Sequence, residues 1–258
     1  MADQQTKRDS DEGGSRWWLW LLLLLLLLGG AAFYWLSAAE EEPVTIGDDG
    51  RFQLTFEGCD SQGRCGDFQI LAPGFGYRWD YGRDSLQAID GRAPNLRDVI
   101  NDQLGGAERV IATGLASNEG GEDYNRRLSA CRSKRLAFLV DDAQLDLGTR
   151  VPTYRLTLGR YEPDPTVVTE DTAIERLVVL GFLRRSDPGL LLDEALKDGL
   201  LKALPTALAQ ALGPIARQLD FTRYSCWDDE FRATPDATVR TACYPEPSQN
   251  TEDFCSGF

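Results

Sequence analysis

Trp17–Leu36 is a run of 20 residues without Asp, Glu, Lys or Arg, and Leu21–Leu28 inside it is unbroken leucine. As a helix rising 1.5 Å per residue it spans about 30 Å, the thickness of a bilayer's hydrocarbon core. Trp17, Trp18 and Trp20 at one end and Phe33, Tyr34 and Trp35 at the other match two interfacial aromatic belts. Lys7, Arg8 and Arg16 precede the run, Glu40, Glu41 and Glu42 follow it, and the next cation is Arg51. The positive-inside rule therefore predicts a cytoplasmic N-terminus, with everything after the span outside the cytoplasm. The alternative is a signal peptide cut near Ala39, after Ser37-Ala38-Ala39. The apolar run exceeds the about 7–15 residues usual for such a peptide, so an uncleaved single-pass anchor is the reading taken. With no ionisable side chain in the span, it is a passive tether and not an ion or proton relay.

The division expected is a cytoplasmic tail at 1–16, a transmembrane helix at 17–36, a linker at 37–50, a folded domain at 51–185 and a helical, cysteine-containing extension at 186–258. Hydrophobic residues make up 42% of the chain, enough for a real core. A net charge of −14 excludes broad nucleic-acid binding, which needs a basic surface to displace counterions. The absence of histidine removes the usual neutral-pH general base and the commonest metal ligand. No CxxC spacing, P-loop or Gly-x-Ser-x-Gly is present, so neither a metal nor another cofactor is expected. Carboxylate pairs such as Asp80 with Asp84 or Asp228 with Asp229 read as turn and cap residues, and the chain as non-enzymatic.

The cysteines fit an oxidising compartment. Cys59 and Cys65 flank a turn-rich loop between two strand-like runs, and a bridge there contributes about 2 kcal/mol on the chain-entropy estimate. Cys226, Cys243 and Cys255 are the other disulfide candidates, while Cys131, inside a helical pattern, reads as a free buried thiol.

Along the folded region, Phe52, Leu54 and Phe56, then Phe68 and Ile70, alternate as a hairpin. Arg78–Tyr81 reads as a short strand. Asn95 can cap a helix with Leu96, Val99, Ile100 and Leu104 on one face, ended by Gly105-Gly106. A strand at Arg109–Ala112, a polar loop at Ser117–Gly121, a helix at about Glu122–Val140, and strands at Tyr154–Leu158 and Arg176–Leu183 follow. The order is β, α, β, α, β, β, an α+β sandwich with its helices on one sheet face. Leu192, Leu196, Leu200, Leu204, Leu208, Leu212, Ile215 and Leu219 then recur at helical spacing, with Pro205 and Pro214 as expected breaks. That stripe fits either a helix packed on its own domain or a partner-binding helix.

Residues 114–140, GLASNEGGEDYNRRLSACRSKRLAFLV, carry a familiar pattern. They resemble the second strand, loop and second helix of the OmpA-like peptidoglycan-binding domain. Gly114, Gly120, Tyr124, Asn125, Leu128, Ser129 and Arg132 fall at the spacings of that family's glycine and Tyr-Asn-x-x-Leu-Ser-x-x-Arg motif. The resemblance covers about residues 67–183 and implies the OmpA-like βαβαββ fold. It also implies that Arg132 grips a carboxylate of the diaminopimelate in a peptidoglycan stem peptide. Asn125 and Arg132, two turns apart, point the same way, and an arginine's planar fork suits a carboxylate. Where the family has Thr-Asp, this chain has Ala116-Ser117. Serine offers no negative charge for the ligand's ammonium, leaving Asn118 or Glu119 to compensate. Ligand contacts are accordingly expected from Arg132, Asn125, Ser117 and Asn118. Arg126, Arg127, Lys134 and Arg135 read as a solvated basic face.

Two functions are compatible with these features. The first is a non-catalytic inner-membrane protein whose periplasmic OmpA-like domain contacts peptidoglycan through Arg132. The second is a scaffold subunit that binds another envelope protein through the divergent domain and the 188–219 helix, without peptidoglycan. An ion-driven stator or energising subunit, which needs an acidic residue in the span, is disfavoured.

Overall fold

Alternation of buried and half-buried side chains sets β2 (Phe52–Cys59) and β3 (Cys65–Ala72) as the predicted hairpin, with Phe56 stacked on Phe68 at 5.5 Å between ring centroids. The computed structural model describes residues 44–46, 51–72, 77–79, 83, 85–88, 95–162, 177–210, 219–227 and 231–235. Cys59 and Cys65 face each other in register and form the expected disulfide. Gly63, at φ +75°, supplies the left-handed turn residue between them. Four carboxylates hold this loop by its backbone amides: Asp198 accepts from Cys59, Glu194 from Ser61, Asp187 from Cys65, and Asp60 from Gln62 and Arg64.

The fold is α+β. After β1 (Val44–Ile46), β2 and β3 come β4 (Tyr77–Trp79), β5 (Leu86–Ala88), α1 (Leu96–Leu104), β6 (Arg109–Ala116), α2 (Glu122–Leu147), β7 (Thr153–Arg160), β8 (Val179–Ser186), α3 (Leu192–Gln210) and β9 (Ala233–Pro235). Strands β4 and β5 form a separate hairpin. The others make one sheet in the order β1-β2-β3-β8-β6-β7-β9, in which five eight-residue strands are flanked by three-residue edges. Strands β6 and β7 are parallel, joined through α2, and the remaining pairs are antiparallel. Asn95 caps α1 as predicted, its Oδ1 accepting from the Arg97 amide at 3.1 Å. Arg184 donates to the Gln103 and Gly105 carbonyls at the other end of α1. Helix α2 runs a full two turns past the predicted end, to a left-handed Gly148.

Helices on one face only is corrected by the structure. Helices α1 and α2 cover one side, over Val110, Ala112, Leu180 and Phe182. Helix α3 covers the other, where Leu192, Leu196, Leu200 and Leu204 pack with Leu54, Ile70, Ile111 and Leu183. The reason is in the strands: β6 is buried from Val110 to Ala116 and β8 from Val179 to Leu183, so neither face can meet water. The apolar stripe of α3 from Leu192 to Leu208 is therefore packed on its own sheet, the first of its two readings, while Leu212 and Ile215 lie outside the described residues. Pro205 lies inside α3 without ending it. Segment 219–227 and β9 join the same core through Leu219, Phe221, Tyr224, Trp227 and Ala233.

Cys131 is also corrected, because it is disulfide-bonded, as is Cys226. Cys243, Cys255, Pro214, the Trp17–Leu36 span, Asp80, Asp84, Asp228 and Asp229 lie outside the described residues. Among the described residues no helix is long and apolar enough to cross a membrane.

Two glycines set how deeply the helices sit. A Cβ on Gly114 would lie 1.9 Å from the Ser129 carbonyl oxygen of α2, and one on Gly58 would lie 2.0 Å from the Ala195 oxygen of α3. Gly114→Ala should therefore lower unfolding free energy by about 3 kcal/mol, read from denaturant midpoints, since backbone and not a flexible side chain must give way. A pH series tests the hairpin. Burial raises the Asp60 carboxyl, but donations from the amides of Leu191 and Arg64, the Arg64 side chain and the Gln62 amide outweigh it, and bring it from 3.8 to about 2. A depressed folded-state pKa means stability present above the unfolded value of about 4, and lost as pH falls toward about 2. Stability should fall across that window, and the fall should be shallower in Asp60→Asn.

Candidate functional site

The Tyr-Asn…Leu-Ser…Arg pattern places three polar residues on one side of α2, and all three turn inward. Ser129 Oγ donates to the Gly114 carbonyl at 2.8 Å and accepts from the Gly159 amide at 3.0 Å, bridging β6 to β7. Asn125 is buried, and its Nδ2 donates to the Glu119 carbonyl at 2.6 Å, fixing the loop that enters the helix. Gly120 of that loop has φ +89°. Ser117 is buried at the end of β6, and Asn118 is half-buried beside it.

Arg132 is the residue on which a ligand role depends, and its relative exposure is 0%. Its Nε donates to the Arg83 carbonyl at 3.0 Å and its Nη1 to the Leu115 carbonyl at 2.7 Å. The guanidinium lies 5.6 Å from the centroid of the fully buried Trp79 ring. Burying a cation is costly unless acceptors and a ring face replace its water, and this site supplies both. Asn125 and Arg132 do point the same way, as the two-turn spacing predicts. The direction is into the protein, beneath the segment that carries Trp79 and Arg83. The four expected ligand contacts are thus gathered at the β6–α2 junction, where Asn125 and Arg132 are bonded to backbone carbonyls of the protein and Ser117 and Asn118 lie beside them. Trp79 was the partner sequence reasoning missed. An apolar alternation around Arg78-Trp79 signals a strand, but nothing local says which helix that strand will cover.

The other cations of the cluster behave differently. Arg126 pairs with Glu122 at 2.7 Å and is half-buried, as is Arg127. Lys134 and Arg135 are exposed. One turn beyond Arg132, a cleft of about 730 Å³ opens between the β4–β5 hairpin, α1 and α2. Leu96, Ile100 and Leu139 give it an apolar floor, and Arg97, Asp142 and Arg135 lie on its polar side. Arg97 is ion-paired with Asp142 at 2.6 Å and with Asp146 at 3.0 Å, which ties α1 to the end of α2. An apolar floor with a few fixed polar groups is the ordinary form of a binding cleft. Among the described residues, Glu57, Cys59 and Cys65 bring potential metal-ligand atoms together. The disulfide consumes both sulfurs, so no thiolate is left there for a metal.

No family model, curated protein or solved structure matches this chain.

Arg132→Ala removes the donors to the buried Leu115 carbonyl and the Arg83 carbonyl, and uncovers one face of Trp79. The expected cost is about 3 kcal/mol, measured by chemical denaturation of the full chain. Arg132→Lys, which keeps the charge but not the fork, should recover only part of it.

Proposed function

We propose that this chain is a non-catalytic envelope scaffold. In this reading residues 17–36 anchor it in the inner membrane, and an OmpA-like domain outside the cytoplasm docks another envelope protein. The observation that carries the proposal is the contrast along α2. Arg132, the residue that would hold a stem-peptide carboxylate, is buried under Trp79 and engaged by two backbone carbonyls, while the cleft over Leu96, Ile100 and Leu139 stays open. The disulfides at Cys59–Cys65, Cys131 and Cys226 support an oxidising compartment. The order β3, α1, β6, α2, β7, β8, with the β4–β5 hairpin inserted, supports the OmpA-like βαβαββ architecture. The docking surface assigned is the cleft, because the apolar stripe of α3 is taken by the sheet.

A second reading, peptidoglycan binding through Arg132, is favoured by the motif spacing from Gly114 to Arg132. Sedimentation with purified sacculi separates the two. Under the scaffold reading the full-length chain in detergent stays in the supernatant. A photo-reactive residue at Ser85, on the cleft wall, forms one discrete envelope-protein adduct in cells, and Leu139→Arg abolishes it. Co-sedimentation that Arg132→Ala removes at unchanged folding would instead establish the cell-wall reading.

A further inference from the structure

The outer face of α2 is symmetric in position and antisymmetric in charge about one residue, Phe138. Lys134 and Arg135 lie four and three residues before it, Asp141 and Asp142 three and four after it, and Leu145 seven after it. At 3.6 residues per turn these side chains fall on one stripe, within about 60° of the Phe138 direction. The stripe is not packed on the protein: Phe138 is 58% exposed and Leu145 69%. The Arg135 guanidinium stands 5.6 Å from the Phe138 ring centroid, so the ring is already flanked by a cation on its N-terminal side. On its C-terminal side Asp142 is held by Arg97, and Asp141 accepts from the Thr153 hydroxyl at 3.0 Å. Both halves of the stripe are thus held in position.

We infer that this face is a two-fold contact between two copies of the chain, with α2 packed antiparallel on the partner's α2. Two identical helices meet productively here in only one sense. A parallel pairing sets Lys134 and Arg135 against their own equivalents. An antiparallel pairing centred on Phe138 sets Lys134 and Arg135 opposite the partner's Asp142 and Asp141, and brings the two Phe138 rings together at the axis. Leu145 then lies at the edge of the contact, toward the partner's Lys134, since Cys131 one turn further along is buried. This is the isologous geometry of a closed dimer. The same pattern explains how a chain of net charge −14 can self-associate: copies that repel overall are drawn together through a local match, and salt weakens it. A helix-on-helix contact is small, so the dimer exchanges readily. Arg135 and Asp142 also line the cleft, so the two-fold contact and a partner seated in that cleft compete for this face.

The test uses the full-length chain in detergent micelles with a photo-reactive amino acid at Leu145. Wild type should give an adduct of twice the chain mass, reduced at least about tenfold at high salt. The double variant Lys134→Glu, Arg135→Glu should lose it about tenfold, and so should Phe138→Asp, at an unchanged melting temperature. Mixing the Lys134→Glu, Arg135→Glu chain with an Asp141→Lys, Asp142→Lys chain should restore an adduct between the two. Absence of a double-mass adduct in the wild type overturns the inference. So does an adduct indifferent to Phe138→Asp and to the Lys134 and Arg135 reversals. A sole adduct to a different protein at Leu145 assigns the face to that protein instead.

Discussion

Everything on the α1–α2 side of the sheet follows from how closely α2 lies on β6. The absence of a side chain at Gly114 lets the Ser129 backbone come against the strand, and the Ser129 hydroxyl then links the Gly114 carbonyl to the Gly159 amide. With the helix held that near, a side chain three residues further along the same face can only enter the protein. Arg132 does so, and meets the Leu115 carbonyl from the same strand. An ordinary packing requirement thereby converts a residue type suited to external recognition into an internal brace. The reachable side chains of this part of the helix lie to one side of Arg132, at Arg135, Phe138 and Asp142.

Local chemistry was the legible part of the sequence. Asn95 announced the start of α1, the alternation from Phe52 to Ile70 announced the hairpin, and the Cys59–Cys65 spacing announced its bridge. The element order was legible too, because each element carries its own periodicity. Two-sided burial of the sheet was also written in the chain: Val178–Leu183 is a continuous apolar run, and Val110–Ala116 is broken only by Thr113, so neither alternates. That signal assigns α3 to the second face and selects, of the two readings of the leucine stripe, the helix packed on its own domain.

Long-range relations were not legible. The spacing of Asn125 and Arg132 gave their common direction, but their depth depends on the hairpin bearing Trp79, far earlier in the chain. Cys131 sits on a helix face shared with exposed residues, so its burial and its disulfide reflect a covering that no local pattern reveals. Pro205 illustrates the reverse case. A residue that ordinarily ends a helix is tolerated in α3, where Leu200, Leu204 and Ala207 on either side of it are buried in the core.

The sheet order carries a consequence for biogenesis. Strand β8 is the inner neighbour of both β3 and β6, yet it is made after both of them. Until residue 179 has emerged, β3 and β6 each expose an unsatisfied ladder, and β6 is among the most apolar stretches of the chain. A nascent chain halted before that point holds two sticky borders awaiting one late insert. Synthesis from the N-terminus therefore leaves a window in which the fold itself cannot yet keep neighbouring chains apart.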